Sequence, residues 1–241
     1  MIHQSSVCPP HDIIAIVPAA GIGRRMQISL PKQYLTIGNK TLLELAIGAL
    51  LKQPCICEVI VAISTSDQWY HKLPIAADSR VHVIIGGDER SDSVMAALSC
   101  TRPGSWVLVH DAVRACLHQD DLRRLLAITT RTEVGGILAS PVRDTMKRAR
   151  SGTNVIASTA KRDDLWHALT PQLFARDLLK NCLERARMDG ILLTDESSAL
   201  EYCGYAPLLV LGRWDNIKVT CPEDLVLARI FFSQLSKMDS A

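Results

Sequence analysis

Apolar runs of strand length alternate along this chain with longer segments of helical periodicity. Ile13–Val17 (IIAIV), Val59–Ser64 (VIVAIS), Val81–Ile85 (VHVII), Trp106–Val109 (WVLV) and Gly136–Ser140 (GILAS) read as strands. Between them Thr41–Leu51, Ser91–Ser99 and Asp120–Thr130 read as helices, with Ser91 as an N-cap. Alternation of this kind predicts an α/β fold with a mostly parallel central sheet and helices on both faces. The strands are apolar at nearly every position, as expected for a sheet buried on both sides.

The rhythm breaks after Pro141. Residues 142 to 166 are polar and charged, with β-branched stretches at Thr145–Arg150 and Val155–Ala160 flanking a Ser151-Gly152-Thr153-Asn154 turn. That pattern predicts a projecting β-hairpin arm. An isolated hairpin is marginal in water, so the arm is expected to dock, for example on a second subunit. Helical signals resume over Pro171–Met188 and Glu196–Cys203, and strands follow at Pro207–Leu211 and Ile217–Thr220. Pro222-Glu223-Asp224 opens a last helix, with proline in the first turn and acids at the positive end.

Composition narrows the class. The chain has 241 residues, 48% hydrophobic and 22% charged, which suits a single soluble α/β domain over 1–241 carrying the arm. The net charge is +2. A balance that small argues against a nucleic-acid-coating surface and leaves room for a local cationic pocket. Eight cysteines form no C-x-x-C motif and read as reduced thiols in a cytoplasmic protein. No run of about 18 apolar residues predicts a membrane span. The first residues, MIHQSSVCPPHD, lack a basic segment followed by an apolar run and read as a frayed leader.

Three clusters carry candidate chemistry. The first strand runs into Pro18-Ala19-Ala20-Gly21-Ile22-Gly23-Arg24-Arg25-Met26. Small residues after a strand let backbone N–H groups approach phosphate oxygens. A dinucleotide fingerprint fails because Met26 stands where a third small residue is needed. A P-loop fails because Gly38-Asn39-Lys40-Thr41 breaks the Gly-Lys-Ser/Thr run. What remains is a glycine turn followed by cations, including Pro31-Lys32-Gln33, which suits a triphosphate. The second cluster is Val109-His110-Asp111-Ala112-Val113-Arg114. Asp111 closes a strand at its carboxyl end, where open α/β sheets bind ligands. It either holds Mg²⁺ with substrate oxygens or caps the next helix. Arg114 is placed to clamp an anion, and His110 reads as packed. The third cluster is Asp215-Asn216-Ile217-Lys218-Val219-Thr220. Lys218 is either a snorkelling edge residue or aimed into a site. Asp215 is either a second metal ligand or a turn former.

Ala19-Ala20-Gly21-x-Gly23-x-Arg25-Met26 with Pro31-Lys32-Gln33 is similar to the signature of nucleotide-sugar-type nucleotidyltransferases, which implies their Rossmann-like fold. With His110–Arg114, Asp144-Thr145-Met146-Lys147, Leu169-Thr170-Pro171-Gln172, Thr194-Asp195-Glu196 and Asn216–Thr220, the chain resembles the 2-C-methyl-D-erythritol 4-phosphate cytidylyltransferase family of the non-mevalonate isoprenoid pathway. The resemblance runs from about Ile13 to Leu227 and implies cytidylyl transfer from CTP to a polyol phosphate.

By that resemblance, Arg25 and Lys32 would grip the triphosphate, and Lys218 would reach the α-phosphate from the opposite side. Asp111 would help hold Mg²⁺. The backbone at Ala19, Ala20, Gly21 and Gly23 would cradle the nucleotide, and Gly87, Asp88 and Ser93 would form the cytosine pocket. Arg114, Thr145, Arg162, Thr170 and Thr194 would hold the polyol phosphate, with Thr145 and Arg162 acting from the arm of a partner in a homodimer. The nearest competing reading is a cytidylyltransferase for another polyol phosphate, such as ribitol 5-phosphate. A non-catalytic nucleotide-binding module would be expected to lack Lys32, Asp111 or Lys218, and all three are present. A metal-dependent hydrolase is disfavoured, because the second cluster offers a single carboxylate. Trp214 departs from the family pattern beside Asp215, and the leader has no counterpart.

Overall fold

The computed structural model describes residues 12–21 and 30–238. Strands β1 (Ile13–Pro18), β4 (Ile56–Ile63), β5 (Val81–Ile85), β6 (Trp106–Val109), β7 (Gly135–Pro141), β10 (Trp166–Ala175) and β11 (Leu208–Leu211) form one sheet in the order β11-β7-β10-β6-β1-β4-β5. All are parallel except β10, which runs antiparallel to both β6 and β7. The α/β expectation holds. Two minor ribbons stand apart: β2 (Thr36–Ile37) with β3 (Lys40–Thr41), and β8 (Lys147–Ala149) with β9 (Ile156–Thr159).

Alternation along β1 explains why its apolar run is continuous. Ile13, Ala15 and Val17 pack into one core with Leu43, Ile47 and Leu50 of α1 (Leu42–Leu51) and with Leu122 and Leu125 of α3 (Gln119–Leu126). Ile14 and Ile16 face the other side, against Val94, Ala97 and Leu98 of α2 (Arg90–Ser99) and Leu179 and Leu183 of α4 (Arg176–Met188). Both faces are therefore covered by helices. Burying one such Ile or Leu is worth about 1.5–3 kcal/mol, so the sheet centre is the most firmly held part of the fold. A third core joins Leu42, Val113, Cys116 and Val219 to Ala228 of α6 (Pro222–Met238).

Local chemistry sets most boundaries. Thr41 caps α1 in a reciprocal capping box with Glu44. Pro222 opens α6, with Glu223 and Asp224 in its first turn. The expectations differ from the structure in four places. The cap of α2 is Glu89, in a box with Asp92, and not Ser91. The apolar pattern over Asp120–Thr130 is α-helical only to Leu126 and continues as a 3₁₀ turn over Ala127–Thr130. The stretch from Pro171 begins not as a helix but inside β10, and α4 starts at Arg176. Leu169 to Phe174 are all buried, but Pro171 and the polar Thr170 and Gln172 break the apolar pattern of a strand. Ile217–Thr220 is not a strand; it is a loop tied by the Val219 N–H to the Val113 carbonyl at 3.1 Å.

The arm follows the predicted strand–turn–strand pattern, with Gly152 at φ 72° in its turn. Every residue of β8 and β9 is exposed. The described cysteines are all free thiols. No helix among the described residues is long and apolar enough to cross a membrane.

Candidate active site

The chain leaves β1 outward through β4 to β5, and β6 then returns to the other side of β1. The carboxyl ends of β1 and β6 therefore flank a topological switch point, the usual ligand crevice of open α/β sheets. Ala19–Gly21 leave one wall and Asp111 leaves the other. The cavity between them, about 190 Å³, is also lined by Lys32, Gly87, Asp88, Arg90, Ser93 and Lys218.

Each wall is fixed by core residues. Gln33 is buried and its Nε2 donates to the Ala19 carbonyl at 2.6 Å, and the Ala19 N–H donates to the Ala62 carbonyl at 2.7 Å. The 3₁₀ turn Lys32–Tyr34 is thereby clamped under the first loop, with Lys32 at the cavity. Tyr34 holds the far end through its hydroxyl, which donates to Asp67 Oδ2 at 2.5 Å. The opposite lip is a tight crossing of Gly86-Gly87 over the start of α2. A Cβ on Gly86 would meet Ser93 Oγ at 2.5 Å, and one on Gly87 would meet Asp92 Cβ at 2.3 Å. Ser93 is buried, and its Oγ accepts from the Gly87 N–H at 3.2 Å. Its hydroxyl shapes the lip.

Asp111 is the electrostatic centre. Its Oδ1 accepts from Arg90 Nε at 3.2 Å, and its Oδ2 lies 3.3 Å from Arg114 Nε and 3.1 Å from Lys218 Nζ. Burial alone would raise its pKa, but Arg90, Lys218 and Arg114 overcome this and hold the carboxyl well below the ordinary range. Behind it lies a closed polar relay. His110 Nε2 lies 3.1 Å from the Arg114 carbonyl, which can only accept, so Nε2 carries the proton. Burial pushes the imidazole pKa down to about 4, which keeps it neutral. Its Nδ1 then accepts from the Thr170 hydroxyl at 3.1 Å, and Thr170 Oγ1 accepts from the Asp111 N–H at 3.0 Å.

The loop carrying Lys218 is fixed in the same way. Arg114 Nη1 donates to the Asn216 carbonyl at 2.6 Å, and Asn216 Nδ2 donates to the Thr170 carbonyl at 2.8 Å. Asn216 is fully buried. A second cavity of about 210 Å³ lies on the far side of Asp111, lined by Arg114, Leu169, Thr170, Gln172, Thr194 and Asp195 together with Arg90, Asp111 and Lys218. Two ligand volumes thus meet at one charged wall.

Among the described residues no three His, Cys, Asp or Glu side chains gather around a metal site. Asp111 is ionised and opens on the cleft, which Asp88 also lines. That donor set fits a hard cation sharing its coordination with substrate oxygens and water.

The family model described as IspD, 2-C-methyl-D-erythritol 4-phosphate cytidylyltransferase, matches residues 13–234. The chain belongs to this family. A relative of that name from Sodalis glossinidius (strain morsitans) is 72% identical over 229 residues, covering 95% of this chain and 96% of the relative. One from Serratia proteamaculans (strain 568) is 63% identical over 235 residues, covering 98% and 99%. The crystal structure of the Francisella tularensis cytidylyltransferase aligns with a TM-score of 0.77 at 32% identity, covering 91% of this chain and 99% of that one. A 4-diphosphocytidyl-2C-methyl-D-erythritol synthase from Anaerococcus prevotii DSM 20548 aligns with a TM-score of 0.80 at 26% identity, covering 92% and 96%.

In this cytidylyltransferase, Ala19, Ala20, Gly21, Lys32, Gly87, Asp88, Ser93, Asp111 and Lys218 converge on the first cavity. Arg114, Thr170 and Thr194 converge on the second. Gly23 and Arg25 lie outside the described residues. Thr145 and Arg162 line neither cavity; both are exposed on the arm side, where Arg162 Nη1 donates to the Arg143 carbonyl. The Thr170 hydroxyl, at the second cavity, donates to His110 Nδ1 and accepts from the Asp111 N–H, which ties that cavity to the Asp111 backbone. Asp215 is not at the cleft. Burial would raise its pKa, but His118 at 3.4 Å and a two-oxygen contact with Arg213 lower it below the ordinary range. Trp214 does not alter the Lys218 wall. It packs edge-on against Phe231 at 5.1 Å, with Arg143 over its ring at 5.5 Å.

Three site residues were not predicted: Arg90, Gln33 as the clamp of the first loop, and Glu196 behind Arg90. Arg90 stands out only once the cap is placed at Glu89, which makes it the first residue of α2, where a cation opposes the helix dipole.

Proposed function

We propose that the chain transfers the cytidylyl group of CTP to 2-C-methyl-D-erythritol 4-phosphate, releasing pyrophosphate and giving CDP-methylerythritol. The observation that carries this reading is the pair of cavities meeting at Asp111 and Lys218. The nucleotide lies in the cavity beside Ala19–Gly21, and the polyol phosphate lies in the cavity beside Thr194. The substrate phosphate oxygen attacks the α-phosphorus across the shared wall and pyrophosphate leaves in line. A phosphate monoester has a second pKa near ~6 and is largely a dianion at neutral pH, so no general base is required. The main obstacle is repulsion between two anions, which fixed cations reduce without reorganising during the reaction.

Lys32 and Arg25 grip the triphosphate. Lys218 faces the α-phosphate from the other side. Asp111 would hold Mg²⁺, which would supply positive charge to the triphosphate when bound. The Gly87–Asp88 lip reads cytosine: a backbone carbonyl there accepts from the N4 amine, and leaving it unpaired with UTP costs about 1–3 kcal/mol. Thr145 and Arg162 complete the polyol-phosphate site of a partner subunit in a cytoplasmic homodimer. Support for this lies in their exposure outside the lining of both cavities of their own chain and in the exposed apolar residues Val155 and Ile156 on the arm.

The test is pyrophosphate release from CTP with Mg²⁺, with methylerythritol phosphate and ribitol 5-phosphate offered in parallel and UTP as the nucleotide control. Release with CTP and methylerythritol phosphate alone is expected. Release only with ribitol phosphate would keep the mechanism and overturn the polyol pocket. Silence with both acceptors, in a folded protein that binds CTP, would leave a binding module.

A further inference from the structure

Arg90, Asp111 and Lys218 are the three described residues that line both cavities. A transferred phosphorus must sit where the two volumes meet, because its nucleophile enters from one and its nucleoside lies in the other. We propose that Arg90 is a further catalytic residue, contacting the phosphoryl oxygens during transfer, and that Glu196 is the positioning residue that holds it there. This inference rests on the cytidylyl-transfer reading above.

Two bonds fix the guanidinium. Arg90 Nη1 donates to Glu196 Oε1 at 2.5 Å and Nε donates to Asp111 Oδ1 at 3.2 Å. A guanidinium has five N–H groups in a planar fork, so donors remain for a ligand. The two carboxylates differ in kind. Asp111 has two other cationic partners and opens on the cleft, so it can turn to a different cation when substrates bind. Glu196 is 2% exposed, Arg90 is its salt-bridge partner, and its second oxygen, Oε2, is buried without a hydrogen bond. A buried pair with an unsatisfied oxygen is poorly suited to stabilising a fold. It is well suited to holding a guanidinium in place when Asp111 lets go. Arg90 is also the first residue of α2, where the helix dipole disfavours a cation. Its position therefore follows from the cleft rather than from the helix. Glu196 opens α5 (Glu196–Tyr202), directly after Thr194 and Asp195 of the second cavity, so one short segment spans the polyol side and the anchor.

The experiment compares Arg90→Ala, Arg90→Lys, Glu196→Gln and the Arg90→Ala/Glu196→Gln double variant with the wild type. It measures pyrophosphate release, both KM values, the Kd for Mg²⁺–CTP by calorimetry, and thermal unfolding. For Arg90→Ala, kcat is expected to fall about 100-fold or more, with Kd for CTP changed by less than about fivefold, as for an interaction made in the transition state. Lysine should restore part of the loss. Glu196→Gln should lower kcat about tenfold in a protein that still folds, and should add nothing on the Arg90→Ala background, since Glu196 acts through Arg90. A kcat within about threefold of wild type for Arg90→Ala overturns the proposal, as does a loss confined to CTP affinity. Additive losses in the double variant overturn the anchor role. If Arg90→Ala does not fold, Arg90→Lys and Glu196→Gln decide: full kcat in both overturns the proposal. A silent wild type overturns the cytidylyl-transfer reading itself, whereas an active wild type beside a fully active Arg90 variant overturns only this inference.

Discussion

The end of β6 and the hairpin arm are built in opposite ways. Asp111 is 5% exposed and sits among Arg90, Arg114 and Lys218, with His110 and Thr170 closing the shell behind it. The arm, by contrast, buries none of the residues of β8 and β9, and it holds itself by backbone pairing and a few exposed side-chain bonds such as Lys147 Nζ to Thr159 Oγ1 at 2.7 Å. The first region is preorganised within one chain, at the cost of desolvating a carboxylate, an arginine and an imidazole. The second is left exposed. Charge for the transferred phosphoryl group is therefore fixed before substrate arrives, whereas the proposed function leaves part of the acceptor site to be assembled between subunits.

The largest expected effect breaks the preorganised side. Lys218→Ala should lower turnover about 10²–10³-fold while circular dichroism and the unfolding transition stay close to wild type, because Asp111 keeps Arg90 and Arg114. Near-normal turnover would remove Lys218 from the mechanism.

The next tests the exposed side. Arg162→Ala should raise the polyol-phosphate KM about 10–100-fold, the loss of a charge-assisted contact of about 1.5–3 kcal/mol, with the CTP KM little changed. Mixing it with Lys218→Ala subunits should recover activity if each site draws on two chains. Verified mixed dimers that stay inactive would mean the arm serves its own chain.

A smaller effect is in pH. His110 has a folded pKa of about 4 against an unfolded ~6.5. Between those values the unfolded chain binds more protons. Stability should therefore be complete above pH 6.5 and fall as pH drops toward 4, by up to about 3 kcal/mol. Asp111 has a depressed folded pKa, so it adds a further loss below the ordinary carboxylate range. Denaturant titrations of wild type and His110→Gln at pH 5 and pH 7.5 would check this; equal pH dependence in both would exclude His110 as its source. The smallest effect belongs to the arm surface. Val155→Ser with Ile156→Ser should change the stability of the subunit by less than about 1 kcal/mol yet weaken self-association in sedimentation. Unchanged association would place the subunit contact elsewhere.

Ala19–Gly21 and Asp111 were legible because each follows a strand end, and sheet topology brings such points together. Lys218 was legible from its apolar neighbours Ile217 and Val219 and its motif, although its segment is a loop. Arg90 and Glu196 were not legible as a pair. They stand 106 positions apart and their meaning lies in their contact across the cleft. Thr170 was legible as part of the site, whereas its bonds to His110 and the Asp111 N–H depend on neighbours about 60 positions away. The reversed strand β10 was hidden because Pro171 stands near its centre and Thr170 and Gln172 interrupt its apolar pattern, although all three are buried.

The sequence by itself determined the α/β class, the two-faced burial of the sheet, the projecting hairpin and the family. These depend on local periodicity and on motifs of contiguous residues. The tertiary structure alone decided that Asp111 is held among three cations, that Asp215 lies with Arg213 and His118 away from the cleft, and that Arg90 borders both cavities. Those facts depend on distances between segments remote in the chain, and the strength of an electrostatic contact is set by distance and burial.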